Sequence, residues 1–551
     1  MRSKKRKEPV SPDRIQVYAW VIIAAAILVI AAVRIHLLPI PLERDEGEYA
    51  YAGQLILQKI PPYALACNMK FPGVYFAYAL IMAIFGQTPT GIHLGLLFVN
   101  AAAIVLVFLL GQRLFDTRAG VTAAISYGML CLSPSVLGFQ AHATHFVVLA
   151  ALGGILLVLK SAETRRLGSA FWAGLMMGIS LLMKQHGLFL LVFAALYLIW
   201  EHVQTRSIPW GEVAKKTAAF ALGAIIPIGL LTVLLVESHN FARFWFWTVE
   251  YSMSYVSETP LRVGFQNFMF CYKIILRSSL VLWILAGIGL LSPIWYAKAK
   301  AKWFFSTGLA IFSFLAICPG LYFRNHYFVL LLPAVALLTG VGLNSLHSEI
   351  LRTRKAPAGL DNVLRTWFYV GALTIAVGTS LYCQNLYLFQ LTPIEACYYT
   401  YNHDGNPFPE SIEIARYIRE HSKETDTIGM LGSEPQICFY AHRHSASSTL
   451  YMYPLMEIQP FALTMQRETI AEMERAKPKF MVVVETPGSW LPQPNSQQLI
   501  RTWASQYLRD YYAPVGIASL FGTYPTDYRW DDDGDSIVPT SRNFVIVLKR
   551  K

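Results

Sequence analysis

The stretch ERDEGEYAYAGQLILQKIPPYALACNMKFPGVYFAY, residues 43–78, sets Asp45, Glu46 and Glu48, and then Lys70, among apolar segments of a 551-residue chain. Charged side chains beside a bilayer are costly unless they are solvated or used, so carboxylates and a lysine gathered in one place mark a candidate site. Two adjacent carboxylates point different ways on most backbones. One of Asp45 and Glu46 can therefore act on a substrate proton while the other is held by a partner or a metal. A carboxyl near a low-dielectric boundary holds its proton more tightly, which suits a general base. The competing reading is an acidic loop that is merely solvated.

Other groups are spaced to join such a site. Gln140-Ala141-His142-Ala143-Thr144-His145 places two histidines at i, i+3, able to share one helical face. They could pack and hydrogen-bond, contact an anion or acceptor, or bind a metal together with Asp45. Lys184-Gln185-His186 falls in a very short loop and offers a second cation, with snorkelling to the interface as the alternative. Arg324 and His326 begin a later helix, where a phosphate role competes with interface anchoring. The acidic cluster at 531–535 lacks the spacing and final Glu of an EF-hand and reads as a solvated turn. Seven cysteines show no C-x-x-C pair and no metal-ligand spacing, although Cys397 and Cys438 could pair outside the cell.

The elements that must position these residues are mostly apolar helices. With 55% apolar and 15% charged residues, the chain is too apolar for a soluble enzyme and reads as a polytopic α-helical membrane protein. Runs of spanning or near-spanning length fall at about 17–38, 91–112, 119–138, 146–160, 169–183, 187–201, 217–236, 279–297, 303–320, 326–346 and 366–388, about 11 transmembrane helices. Basic residues precede the first run, and Lys and Arg recur in alternate loops, which places the N-terminus in the cytoplasm. An odd number of spans puts the outer loop 39–90 and everything after the last run on the opposite side. Residues 237–277 are rich in aromatics and read as a helix in the headgroup plane or as an aromatic belt.

Net charge is divided along the chain. Residues 1–390 hold 31 Lys and Arg against 15 Asp and Glu, whereas 391–551 hold 15 against 19. The basic excess therefore belongs to the membrane part, which favours an anionic lipid surface over nucleic acid as partner. Past residue 390 a Pro-led helix at 409–421 is followed by β-rich runs at 427–431, 436–440, 480–485 and 544–548. Helical stretches near 458–476 and 496–509 separate them. This predicts two domains: a transmembrane catalytic domain over 1–390, and an extracytoplasmic α/β domain over 391–551 with a partly parallel sheet.

The Asp-Glu pair followed by Tyr-Ala-Tyr-Ala-Gly-Gln, Pro61-Pro62-Tyr63, Lys70-Phe71-Pro72-Gly73-Val74-Tyr75 and Phe85-Gly86 resembles the GT-C membrane glycosyltransferases. Within them it is similar to the bacterial branch related to protein O-mannosyltransferases and lipid A aminoarabinose transferases. Arg324-Asn325-His326-Tyr327-Phe328 followed by Leu331-Leu332-Pro333 extends the likeness, which covers roughly residues 15–345. The resemblance implies transfer of a sugar from a polyprenyl-phosphate carrier to an acceptor hydroxyl on a glycan, lipid or protein. Transfer would invert the anomeric carbon, on the outer face of a bacterial inner membrane. It implies that Asp45 is the catalytic base and Glu46 its acidic neighbour, with Lys70 near the donor phosphate; Arg324, Lys184 and His326 are the further candidates for that phosphate. His142, His145 and Tyr63 would line the same cavity. No cofactor is required by that scheme, while Asp45 with His142 or His145 leaves room for a divalent cation.

The sequence departs from the family in two places. Thr144 stands where an acidic residue is usual in the second outer loop, and Phe71 replaces the first proline after the lysine. A transporter or flippase for a lipid-linked substrate is the reading from another class. Charges clustered at one face, rather than at midmembrane breaks, favour the transferase.

Overall fold

The computed structural model describes residues 12–164, 166–205, 209–257, 259–353, 358–401, 405–522, 525–531 and 537–551. The basic stretch 1–7 and the acidic residues 532–535 lie outside them. Each of the eleven apolar runs falls on helix. The first nine helices are α1 (Pro12–Ile35), α2 (Arg44–Leu57), α3 (Gly73–Phe85), α4 (Pro89–Leu114), α5 (Thr117–Cys131), α6 (Ala143–Glu163), α7 (Leu167–Met183), α8 (Gly187–Thr205) and α9 (Trp210–Glu237). Later helices include Leu261–Ser278, Leu280–Leu291, Trp303–Ile317, Leu332–Thr353 and Ala358–Cys383.

Among the described residues α1, α4, α6 and α9 are long and apolar enough to cross a membrane, or five spans if Leu261–Ser278 and Leu280–Ile294, bent by 106°, count as one. Others are apolar but shorter, such as Trp303–Ile317 at 15 residues and α7 at 17, against the ~20 residues of a full span. Small residues let the helices approach closely. A Cβ on Gly174 of α7 would lie 1.9 Å from the Phe220 carbonyl of α9, and one on Gly223 of α9 would lie 2.1 Å from the Phe171 carbonyl.

The outer loop expected over 39–90 is largely helical. Glu43 and Glu46 form a capping box that starts α2, and Pro72 stands at the N-cap of α3. The aromatic stretch is also helical, with a π-helical turn at Phe246–Tyr251 and a separate helix from Leu261.

Past residue 390, six strands among the described residues form one sheet: β1 (Thr427–Leu431), β2 (His444–Ser445), β3 (Phe480–Glu485), β4 (Tyr512–Leu520), β5 (Asp527–Trp530) and β6 (Asn543–Arg550). Their order is β2-β1-β3-β6-β4-β5. β1 is parallel to β2 and to β3, and the remaining pairs are antiparallel. The apolar run FMVVVE is a central strand covered on both faces. Phe480, Val482 and Val484 join a core with Ile414 and Ile418, while Met481 and Val483 meet Met465, Met473 and Ile500.

Two expectations fail in this region. Residues 436–440 are helix, within Pro435–Ala441, because Pro435 at the first turn starts a helix that leads into α2 contacts. Cys397 and Cys438 do not pair, and all seven cysteines are free.

Candidate active site

Asp45 sits in the first turn of α2, which the capping box orients. The Glu46 N–H donates to Glu43 Oε1 at 2.9 Å, and the Glu43 N–H donates to Glu46 Oε2 at 3.4 Å. One residue along the helix turns a side chain by about 100°, so the adjacent acids separate. Glu46 is 0% exposed, where its Oε1 accepts from the Ala141 N–H at 2.6 Å and lies 2.9 Å from His93 Nε2. Asp45 instead faces a cavity of about 1620 Å³.

Lys70 reaches that cavity from the segment between α2 and α3. Its Nζ donates to Asp45 Oδ1 and to Glu48 Oε2, both at 2.7 Å. Glu48 is fully buried and also accepts from Asn68 at 2.7 Å, from Tyr451 at 2.6 Å and from Tyr75. Burial alone would raise the Asp45 carboxyl, but Lys70, with His142 and Lys184 behind it, holds it well below the usual carboxylate range. Burial likewise opposes the Lys70 charge, and Asp45 and Glu48 outweigh it, so that ammonium holds its proton more tightly than usual.

A second cation approaches from the turn between α7 and α8. Lys184 Nζ lies 3.4 Å from His326 Nε2 and 4.2 Å from the centre of the Tyr327 ring. Burial, with Asp45 opposing it and Lys70 and Arg324 assisting, pulls its pKa down to about 7. Arg324 lies over the Tyr322 ring at 5.4 Å and lines the same cavity. Asp45, Lys70, Lys184, Arg324, His142 and His326 therefore converge on one space.

Three residues expected in the cavity do not line it. Besides Glu46, Tyr63 is buried beneath it, with φ 65° and its hydroxyl donating to the Lys70 carbonyl at 2.6 Å. Tyr63 thus fixes the lysine's backbone. His145 points away, its Nδ1 3.1 Å from Asn100 Oδ1. His142 precedes α6 and His145 lies in its first turn, so the two do not share one face toward the cavity.

Asp45, His142 and His326 bring one ligand atom each to within 4.8 Å of one another, a spacing open to a metal ion. The side chains as they stand do not fit one. The two imidazole rings are stacked, with centroids 4.0 Å apart and 12° between planes, so their in-plane lone pairs run side by side instead of converging. Two ammonium groups also occupy the neighbourhood, at 2.7 Å from Asp45 and 3.4 Å from His326. Neither His142 ring nitrogen has a hydrogen-bond partner, and burial pulls that ring's pKa down to about 4 against the pull of Asp45 and Glu46. It is a neutral imidazole at the cavity wall.

The C-terminal region supplies residues that sequence reasoning missed. The Tyr451 hydroxyl donates to Glu48 and lies 3.3 Å from Asp45 Oδ1, and Tyr453 and Glu457 line the cavity. Arg44 ties that region to α2 through the Ser433 carbonyl at 2.7 Å and Glu434 Oε1 at 2.9 Å. No local signal marks these residues, because their partners are some 400 positions away in the chain. Glu43 is a further cavity residue passed over in the sequence. Burial and the neighbouring Asp45 and Glu46 push its carboxyl well above its ordinary value.

A family model described as dolichyl-phosphate-mannose-protein mannosyltransferase matches residues 69–231. Undecaprenyl phosphate-α-4-amino-4-deoxy-L-arabinose arabinosyl transferases of Pseudomonas aeruginosa (strain UCBPP-PA14) and Pseudomonas paraeruginosa are 27% and 26% identical to this chain over 248 and 246 residues. Each match spans 43% of this chain and 43% of the relative, under half of either. The crystal structure of ArnT from Cupriavidus metallidurans bound to undecaprenyl phosphate superimposes with a TM-score of 0.59 at 15% identity, covering 96% of this chain and 97% of that one. The archaeal oligosaccharyltransferase AglB from Archaeoglobus fulgidus, in complex with an inhibitory peptide and a dolichol-phosphate, gives 0.53 at 14% identity, covering 95% and 75%. These matches bear out the GT-C resemblance read from the sequence.

Proposed function

We propose that this chain is a polyprenyl-phosphate-sugar-dependent glycosyltransferase of the bacterial inner membrane. The observation that carries the reading is a single cavity with two kinds of wall. Its lining includes Asp45, Lys70, Lys184 and Arg324, and Leu188, Phe189, Phe270, Ile274 and Leu386 supply apolar surface. A donor made of a phosphosugar on an isoprenoid chain has the same division. Relatives that act on undecaprenyl phosphate sugars support this donor class.

In the proposed step the acceptor hydroxyl oxygen bonds to the anomeric carbon from the face opposite the phosphate, inverting it. The bond from that carbon to the phosphate oxygen breaks, and the polyprenyl phosphate leaves with the bonding pair. Asp45 takes the hydroxyl proton. Lys70, Lys184 and Arg324 stabilise charge that grows on the phosphate as it departs, where fixed cations in a low-dielectric site act most strongly. His326 and His142 stand at the same wall as hydrogen-bonding groups. Glu46 acts at one remove, by holding the first turn of α2. No step needs a metal, and a chelator is expected to leave transfer within about twofold.

The remaining organisation belongs to the same proposal. With eleven membrane segments, as the apolar runs of the sequence suggest, the N-terminus lies in the cytoplasm and the region 391–551 on the periplasmic face together with Asp45 and Lys70. The aromatic helices between residues 241 and 278 lie over the lipid-filled side.

The test is mass spectrometry of envelope glycolipids and glycans from a deletion strain complemented with wild type or with Asp45→Asn at matched protein levels. The expected result is a glycan one sugar short, with accumulated polyprenyl-phosphate sugar, restored by wild type alone. Full restoration by Asp45→Asn would remove the catalytic assignment.

A further inference from the structure

The helix Leu261–Ser278, LRVGFQNFMFCYKIILRS, carries Arg262, Lys273 and Arg277 and no Asp or Glu. At ~100° and ~1.5 Å per residue the three cations fall within about 60° of arc, in one row about 22 Å long. All three are exposed, and none has a hydrogen-bond or ion-pair partner among the described residues. Phe265 and Phe270, 66% and 67% exposed, flank the row on its two sides. The opposite face packs on the protein: Gly264, Cys271 and Ile275 are buried, and a Cβ on Gly264 would lie 2.7 Å from Leu321 Cβ. Packing therefore does not account for the cations.

The bend that follows gives the row its setting. The helix stands at 106° to the apolar run Leu280–Ile294. With that run crossing the bilayer, the helix lies nearly in the plane of the membrane surface, where cations reach headgroup phosphates and aromatic rings reach the upper acyl chains. In the eleven-segment arrangement that surface is the outer one, where Lys and Arg are expected to be few, so topology does not account for the row either. An acidic protein would match the charge alone. Exposed phenylalanines on both flanks match a lipid, which has an anionic head and apolar chains. Arg277 ends the row at the first cavity, whose wall it shares with Phe270 and Ile274.

We infer that Arg262, Lys273 and Arg277 form a binding site for anionic phospholipid beside the donor cavity, the cations contacting headgroup phosphates and Phe265 and Phe270 the acyl chains. The site rests on the membrane setting proposed above and is independent of sugar transfer, since Arg262 and Lys273 do not line the donor cavity.

The test titrates the purified full chain in detergent with phosphatidylglycerol or phosphatidylcholine and counts bound lipid by native mass spectrometry. One variant joins Arg262→Gln to Lys273→Gln, removing two charges outside the cavity, and a second joins Arg262→Lys to Lys273→Arg, keeping them. Wild type is expected to prefer phosphatidylglycerol and to lose that preference as salt rises from about 0.05 to 0.5 M. The Gln pair should weaken phosphatidylglycerol about tenfold or more, at about fivefold for each basic residue near an anionic surface. Its binding of phosphatidylcholine and undecaprenyl phosphate should stay within twofold of wild type, with the melting temperature unchanged, and the charge-conserving pair should bind as wild type does. Equal binding of the two phospholipids by wild type, or wild-type affinity for phosphatidylglycerol in the Gln pair, would overturn the inference. So would a Gln pair that loses undecaprenyl phosphate and keeps phosphatidylglycerol, which would make the row part of the donor site, or an equal loss in the charge-conserving pair, which would make it structural. Asp45→Asn, expected to bind phosphatidylglycerol as wild type does, separates this site from the transferase reading.

Discussion

Lys70 Nζ rests 2.7 Å from Asp45 Oδ1. The cation meant for a donor phosphate is thus bonded to the carboxylate meant for the acceptor proton, and each masks the other until a substrate arrives. Glu48, fully buried, holds the lysine from its other side at 2.7 Å and keeps it in reach of both. When a phosphate draws the ammonium toward itself, Asp45 loses its strongest partner and becomes a better base. Donor binding and base activation are coupled through one hydrogen bond.

Replacing Lys70 with Met should therefore do two separable things. Binding of undecaprenyl phosphate weakens, and the acidic limb of the pH–rate profile moves upward. The sign follows from Asp45, which Lys70 holds below the usual carboxylate range. Without the cation, burial dominates, the carboxyl protonates at higher pH, and activity is lost earlier as pH falls. Stability also drops, by about 3–5 kcal/mol if Glu48 stays charged in its buried site. An acidic limb that does not move in Lys70→Met would show that the pair does not set the state of Asp45.

Lys184 predicts a limb on the alkaline side. Its pKa of about 7 lies below the ordinary lysine value, because burial disfavours the charged form. A phosphate binds the protonated form, so affinity for undecaprenyl phosphate is full below pH 7 and falls as pH rises past it, by up to about tenfold per unit. Lys184→Arg keeps its charge throughout and should flatten that dependence between pH 7 and 9. Titration calorimetry of undecaprenyl phosphate at pH 6.5, 7.5 and 8.5 decides it, and parallel curves for wild type and Lys184→Arg would rule it out.

Glu46 should behave as a structural acid despite its place beside Asp45. Its carboxylate accepts from the Glu43 and Ala141 N–H groups and from His93, and Glu46 does not line the cavity. Glu46→Ala leaves those donors unsatisfied in the interior, so the protein should lose about 3–5 kcal/mol of stability. Glu46→Gln, which retains one acceptor oxygen, should keep KM for the donor near wild type with a lower melting temperature. A Glu46→Gln protein of normal stability and negligible kcat would place this residue in the chemistry instead.

These contrasts show what a sequence can carry. Asp45, Lys70 and Arg324 are legible because charge beside apolar runs is rare enough to be noticed, and all three line the same cavity. Strands such as Phe480–Glu485 are legible because a continuous β-rich run has few alternatives. The assignments of Tyr63 and His145 depended on which way a side chain turns, and that is set by partners such as the Lys70 carbonyl and Asn100. The helix Pro435–Ala441 was hidden for the same reason: its apolar residues fit a strand equally well until Pro435 and the contact with α2 decide. Tyr451 could not be found locally, since its meaning lies in Glu48.

Gly47 measures how far the C-terminal region is part of the site. A Cβ there would lie 2.6 Å from Gln436 Cβ and 2.8 Å from the Gln436 nitrogen, so α2 and the helix Pro435–Ala441 touch backbone to backbone. Gly47→Val should push them apart, and with them Tyr451, which binds Glu48 and stands 3.3 Å from Asp45. The side chain of Asp45 itself is on another face of α2 and is untouched. Transfer should therefore fall steeply in Gly47→Val, while Tyr451→Phe, which removes only the hydroxyl, should lose about 1.5–3 kcal/mol at the Glu48 hydrogen bond. Limited proteolysis provides the structural readout, with cleavage in the region past residue 390 faster in Gly47→Val and unchanged in Tyr451→Phe. Normal transfer by Gly47→Val with accelerated cleavage would mean that the membrane helices hold a working site without the C-terminal region.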